Sequence, residues 1–313
     1  MSATPMTAEP DGKRQCQTLV DWFAPHEQVV VAFSGGVDST VVLAASLASG
    51  TPTVAVTADS PSVARWQIEL AKTVATELGA EHRVIETRET ELPEYRLNDS
   101  TRCFHCKSTL YASIHAVSDL AASDATVVSG TNADDLGDFR PGIQAGRDAK
   151  VQTPLAELRI DKATVRAIAK QFGVSNADLP ASPCLASRIA YGVEVTCERL
   201  ARVETAENFL RQNGLGDLRV RVHENELARI EVPSSRIASL TREPLRSELV
   251  NVLREVGFNF VTLDLEGLSS GSMNRPLVSL DVPPVRPPAS QPKTPESHTS
   301  AELSNLAERH DEG

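Results

Sequence analysis

The run Val29-Val30-Val31-Ala32-Phe33 passes without a break into Ser34-Gly35-Gly36-Val37-Asp38-Ser39, and then into a helical apolar pattern at Val41, Val42, Leu43 and Ala45. An uninterrupted apolar run of this length reads as a strand buried on both faces, as in a parallel sheet. Two glycines let the following loop turn tightly and let a ligand approach its backbone. The loop opens a helix, whose free N–H groups and positive dipole end favour an anion. Ser34 and Ser39 add hydroxyl donors. Asp38 brings negative charge to this cradle, which a Mg²⁺ bridging it to phosphate would resolve. The loop lacks the Gly-Lys-Ser/Thr of Walker A and the spacing of the dinucleotide Gly-x-Gly-x-x-Gly.

The pattern repeats along the chain. Strand-like runs occur at 29–33, 53–57, 82–85 and 126–129, with helical patterns between them at roughly 39–49, 62–78 and 105–120. Alternating strands and helices predict an α/β fold with a doubly wound, Rossmann-like parallel sheet. Ligands of such sheets sit beyond the carboxyl ends of the strands. The chemistry-bearing segments 34–39, 57–62 and 129–135 fall there. Residues 1–12 read as a flexible leader and 13–192 as the domain of this sheet. Residues 161–172 are a further helix closed by Gly173, and 179–191 are irregular. Residues 193–268 form a smaller α+β domain: a helix at 196–213 with Thr196 as N-cap, a hairpin of 218–222 and 227–232, a helix at 243–256 and a strand at 258–263. The stretch 269–313 holds 7 of the 19 prolines and few large apolar residues. It reads as a disordered tail, with a frayed helix near 301–309.

The 313 residues suffice for two domains with cores of their own. A hydrophobic fraction of 41% and a mean hydropathy of −0.20 describe a soluble protein. No apolar run spans a bilayer, and 1–13 lack the apolar segment of a secretory signal. The net charge of −11 argues against a broad nucleic-acid surface. Five cysteines are too few and too uneven for a disulfide framework and fit a reducing cytoplasm.

Three of those cysteines carry a signal. Cys103-Phe104-His105-Cys106-Lys107 places two thiols three residues apart, and Cys184 stands in Ser182-Pro183-Cys184-Leu185-Ala186-Ser187-Arg188. A C-x-x-C pair alone is ambiguous between zinc, an iron–sulfur cluster and a redox disulfide. Three cysteines would ligate three irons of a cubane and leave the fourth open. Pro183 and Arg188 suggest an exposed loop whose cation lowers the Cys184 thiol pKa. Cys16, in a helix, and Cys197, at a helix start, read as structural. After the strand at 126–129, Gly130-Thr131-Asn132-Ala133-Asp134-Asp135 brings carboxylates to a sheet end, where Mg²⁺ could meet pyrophosphate; Arg140 adds a cation nearby. In the hairpin, Arg219, Arg221 and His223 share one face, and Arg229 and Glu231 share a face of the second strand. Such a face suits a phosphate-bearing substrate. Glu204 and Glu207, on the preceding helix, could balance its charge.

The loop at 34–39 resembles the PP-loop of ATP pyrophosphatases. With Thr57-Ala58-Asp59-Ser60-Pro61-Ser62, Arg102–Lys107, Gly130–Asp135, Pro183–Arg188 and Gly271-Ser272-Met273-Asn274, the chain resembles the LarE family of sulfur transferases, over about residues 15–275. The resemblance implies ATP and Mg²⁺ held by Ser34, Gly35, Gly36, Val37, Asp38, Ser39, Thr40, Asp59, Ser60, Gly130, Thr131, Asn132 and Asp134, with Asp38 and Asp134 on the metal. It implies adenylation of the carboxylates of pyridinium-3,5-biscarboxylic acid mononucleotide, then sulfur transfer, on the way to a nickel-pincer cofactor. Cys184, Asp38 and Arg188 would be catalytic, and Ser187, Arg188, Arg219, Arg221 and Glu207 would bind substrate. Some members of the family sacrifice the sulfur of the cysteine equivalent to Cys184; others, with a C-x-x-C, resemble cluster-binding forms. This chain has the second pattern, which implies a [4Fe-4S] cluster on Cys103, Cys106 and Cys184. The family also suggests a homo-oligomer, and the acidic charge and the lack of a long apolar run suggest no nucleic-acid or membrane partner. Two other readings remain open, a tRNA-thiolating PP-loop enzyme and a non-enzymatic nucleotide-binding iron–sulfur scaffold.

Overall fold

The computed structural model describes residues 9–117, 125–137, 141–269 and 273. Arg140, Gly271, Ser272, Asn274 and the helix expected at 301–309 lie outside the described residues. The chain divides into two units, Met1–Ser270 and Gly271–Gly313. Among the described residues, every strand and α-helix lies in the first.

Four strands, β1 (Val29–Ala32), β2 (Thr53–Asp59), β3 (Glu81–Glu86) and β4 (Thr126–Ser129), form a parallel sheet in the order β3-β2-β1-β4. Val29 lies opposite both Thr53 and Thr126, so β1 is central. Its side chains alternate between two cores. Val29 and Val31 join Leu19, Phe23, Leu43 and Ile168 on one face, and Val30 joins Val54, Tyr111 and Ile114 on the other. A strand buried on both sides has no polar face to show, hence the unbroken apolar run.

The helices are α1 (Glu9–Phe23), α2 (Val37–Ala48), α3 (Arg65–Glu77), α4 (Pro93–Arg96), α5 (Arg102–Ala116), α6 (Pro141–Asp148), α7 (Pro154–Glu157), α8 (Lys162–Phe172), α9 (Cys197–Gln212), α10 (Ile237–Leu240) and α11 (Leu245–Glu255). Helix α1 begins at Glu9, inside the stretch read as leader. Helix α8 has the expected ends: the Asp161 side chain accepts from Thr164 N–H, and Gly173 closes it at φ 67°. Helix α3 starts at Arg65 rather than Ser62 because 60–62 are held in a turn, with Ser62 N–H donating to Ser60 Oγ at 3.1 Å. Helix α5 starts at Arg102 rather than His105, so Cys103 and Cys106 lie one turn apart on the same helix.

A second sheet holds β5 (Arg219–His223), β6 (Leu227–Glu231) and β7 (Phe260–Leu263), with β5 and β6 antiparallel and β6 and β7 parallel. Its core packs Val220, Val222 and Ile230 against Leu200, Val203 and Leu253. The core also takes in Leu185, Ala186 and Ile189, so the segment after Cys184 is anchored in it.

The tightest approach in the first sheet lies beside the glycine-rich loop. A Cβ on Gly130, just past β4, would stand 2.7 Å from Ser39 N and 3.0 Å from Asp38 C. The chain after β4 therefore rests directly on the first turn of α2. Gly130→Ala is expected to destabilise the protein by about 1–3 kcal/mol, because backbone cannot yield as a side-chain end can; the urea unfolding midpoint of the variant measures this.

Candidate active site

Two neighbouring cavities open at the carboxyl ends of β1 and β2. The first, of about 220 Å³, is lined by Ser34–Asp38, Lys162 and the stretch 179–182, with Trp66 and Gln67 from α3. The loop is braced from within: Ser39 Oγ donates to Gly36 O at 3.0 Å, and Gly36 N–H donates to Ser34 Oγ at 3.4 Å. No side chain caps α2, so its first N–H groups are left to a ligand.

Asp38 accepts from Asn132 Nδ2 at 3.0 Å and from the Lys162 ammonium. Asp134 accepts from Lys162 N–H at 3.0 Å, while its own N–H donates to Asn132 Oδ1 at 3.0 Å. The negative charge of Asp38 is thus already matched by a lysine at the start of α8. Of the expected nucleotide ligands, Ser34–Asp38 face this cavity. Thr40 does not: it is fully buried and accepts from Asn176 Nδ2 at 2.8 Å, beneath the loop. Asp59 is paired with Arg65 at 2.6 Å. Gly130, Thr131, Asn132 and Asp134 flank the loop rather than line the cavity.

The second cavity, of about 320 Å³, is lined by all three signal cysteines, Cys103 and Cys106 from α5 and Cys184 from its loop. Ser34, Gln67 and Ser182 line both cavities. Ser60, Glu89, Tyr95, Arg102 and Lys107 also line the second. Burial first, then the neighbouring Cys184 sulfur and the Glu89 carboxylate, push the Cys106 thiol up to about 12. Burial likewise raises the Tyr95 phenol, whose oxygen lies 2.6 Å from Ser62 Oγ.

Arg188 corrects one expectation. It is not an exposed cation beside a thiol but 1% exposed, with Nε donating to Glu207 at 2.9 Å and Nη1 to the carbonyls of Pro183 and Cys184 and to Ser187 Oγ. Glu207, with no exposure, also accepts from Arg211 at 2.8 Å and from Val220 N–H at 3.1 Å. It therefore serves as a buried counter-ion. Arg221 is paired with buried Glu231 at 2.8 Å and donates to Ser187 O at 3.1 Å. Arg219 donates to the carbonyls of Leu218 and Ala181. Burial, with Arg188 and Arg221 nearby, pushes its pKa down to about 10, and a phosphate placed there would relieve that cost.

A family model described as queuosine biosynthesis protein QueC matches residues 28–103. An uncharacterized protein of Synechocystis is 42% identical over 262 residues, covering 83% of this chain and 97% of its own. The pyridinium-3,5-bisthiocarboxylic acid mononucleotide synthase of Lactiplantibacillus plantarum is 37% identical over 264 residues, covering 82% of this chain and 92% of that one. The chain belongs to the LarE family. Among solved structures, the NMN synthetase of Francisella tularensis is similar at 22% identity and a TM-score of 0.44, covering 55% of this chain and 75% of that one.

In this LarE-family chain the donor set of the second cavity suits an iron–sulfur cluster in kind: three thiols, with the cations Arg102 and Lys107 beside them. Among the described residues no three His, Cys, Asp or Glu side chains gather closely enough to hold a single metal ion. A cubane binds each cysteine through a different iron, so its ligands stand further apart than those of one ion. Lys162, Tyr95 and Glu89 carry no local signal: they lie outside the motifs, on segments that only the tertiary fold brings to the cavities. Among the described residues, no helix is long and apolar enough to cross a membrane.

Burial alone would push the Glu207 carboxyl up, but Arg188, Arg211 and the Val220 N–H outweigh it and hold it below the usual carboxylate range. Its stabilising contribution is therefore complete above the unfolded-state value near about 4.3 and is lost as pH falls through the folded-state value. Glu207→Ala is expected to cost about 3–5 kcal/mol at neutral pH by stranding a buried Arg188. Urea titrations at pH 7 and pH 4 test both statements, the gap between wild type and variant narrowing at the lower pH.

Proposed function

We propose that the chain is an ATP-dependent sulfur transferase that converts the carboxylates of pyridinium-3,5-biscarboxylic acid mononucleotide into thiocarboxylates, a step toward a nickel-pincer cofactor. The observation that carries this reading is the shared wall of the two cavities. Ser34, Gln67 and Ser182 border both the glycine-rich loop and the three thiols, so a carboxylate activated over the loop would lie next to sulfur. The name of the L. plantarum relative supports the same substrate class.

A carboxylate is a poor electrophile until one of its oxygens becomes part of a leaving group. In the proposed reaction that oxygen attacks the α-phosphorus of ATP and pyrophosphate leaves. Sulfur then attacks the carbonyl carbon of the mixed anhydride, the C–O bond to phosphate breaks, AMP departs and the sulfur loses its proton. The N–H groups at the start of α2 and the Lys162 ammonium would bind the phosphates, and Asp38 and Asp134 would hold Mg²⁺ against them. Arg219 would take the substrate phosphate, its guanidinium held by the carbonyls of Leu218 and Ala181.

The proposed [4Fe-4S] cluster would be held by Cys103, Cys106 and Cys184. When bound it supplies a site at which inorganic sulfide is delivered, so that the protein's own sulfur is spared. In the alternative route Cys184 gives up its sulfur and ends as dehydroalanine. A reducing cytoplasm, a homo-oligomer and the absence of nucleic-acid partners belong to the same proposal.

Anaerobic purification with iron and sulfide quantification separates the routes. About four irons per chain are expected in wild type and none in Cys103→Ala. Iron-free protein whose Cys184 loses one sulfur mass on turnover would establish the sacrificial route. Absence of pyrophosphate release on adding the dicarboxylate would overturn the enzymatic reading altogether.

A further inference from the structure

The wall of the thiol cavity holds a carboxylate that the proposed reaction does not use. Glu89, in the turn after β3, lines this cavity and is 2% exposed. Its Oε1 accepts from Ser60 Oγ at 2.6 Å. Its Oε2 is buried and has no hydrogen-bond partner among the described residues. Two cations line the same cavity without pairing with it. Arg102 donates to Asn98 and to Ala186 O, and the Lys107 ammonium lies 5.9 Å over the Tyr111 ring.

An unsatisfied carboxylate oxygen in an apolar wall is costly, and a cationic ligand would offset that cost. The surroundings say which kind of ligand. Phe33, Val56, Val63, Tyr95 and Leu110 make the cavity broadly apolar, and the cavity reaches the glycine-rich loop through Ser34. A hydrated ammonium would lose too much water there. A flat aromatic cation, with its charge spread over the ring, enters such a site at low desolvation cost and gains most from a buried anion.

We propose that Glu89 is the counter-charge of the positively charged ring of the substrate and selects the pyridinium over a neutral ring of the same shape. This inference rests on the substrate class given above. Ser60 holds the carboxylate in place: its hydroxyl donates to Glu89, and it also accepts from Ser62 N–H at 3.1 Å. Glu89 is thus preorganised rather than recruited on binding.

Calorimetric titration tests the assignment with two ligands, the pyridinium dicarboxylate mononucleotide and its neutral 1,4-dihydropyridine form. Wild type is expected to bind the cation about tenfold or more tightly than the neutral ring. Glu89→Gln, which retains an acceptor for Ser60, is expected to lose that preference while its ATP affinity stays unchanged. Glu89→Asp, which keeps the charge, is expected to retain part of the preference and guards against a purely structural effect. A Glu89→Gln variant that still prefers the cation, or that loses ATP affinity instead, overturns the inference, the latter outcome assigning Glu89 to the adenine amine. If wild type releases pyrophosphate with the dicarboxylate but shows no preference between the rings, only this inference fails. If wild type binds neither ligand, the substrate reading fails with it.

Discussion

The geometry around Cys184 depends on one buried ion pair. Arg188 and Glu207 are each almost wholly withdrawn from solvent. Burying two charges is costly, and the cost is met only when every remaining donor and acceptor is used. Here Glu207 takes Nε and Nη2 of Arg188, Arg211 and the Val220 N–H, and Arg188 turns Nη1 on the carbonyls of Pro183 and Cys184. The pair therefore ties the backbone of the cysteine loop to α9 and β5 at once. Leu185, Ala186 and Ile189 lock the same segment from the apolar side. A thiol on a loop would ordinarily wander; this one is fixed by the second core.

The other half of the site is fixed by backbone rather than charge. The central strand β1 is clamped by β2 and β4 in register, and Gly130 lets the chain after β4 lie on the first turn of α2. Asn176 reaches under the loop to Gly35 O and Thr40 Oγ1, both at 2.8 Å. The glycine-rich loop is thus held from both sides before any anion arrives. Lys162 and Asn132 divide the Asp38 carboxylate between them, so the cavity opens with its charges already arranged.

The sheet and its loop were legible because short-range rules decide them: an unbroken apolar run, two glycines, and a helix start in sequence. The hairpin and the helix ends at Thr196, Asp161 and Gly173 were legible for the same reason. The C-x-x-C spacing leaves its chemistry ambiguous, and the grouping of Cys184 with Cys103 and Cys106 comes from the family resemblance; α5 starts at Arg102, ahead of the apolar pattern that marks it. What escaped was the partner of each charge. Arg188 looked like a free cation beside a thiol because nothing local reveals Glu207, nineteen residues away, behind it. The resemblance implies Thr40 as a ligand because it is the last residue of the matched motif at 34–40, yet its place on the helix turns it into the core. Lys162 and Glu89 reach the cavities through contacts between distant elements, which no window of sequence contains.

In the proposed reaction the glycine-rich loop activates a carboxylate as an acyl adenylate. Substrate labelled with ¹⁸O in its carboxylates, turned over once with ATP and a sulfide source, tests it most directly. Because the C–O bond to phosphate breaks when sulfur attacks, the account predicts one ¹⁸O atom in each AMP formed, read by mass spectrometry. AMP free of label, with pyrophosphate still released, would mean that water and not the carboxylate attacks the nucleotide, and would contradict the account.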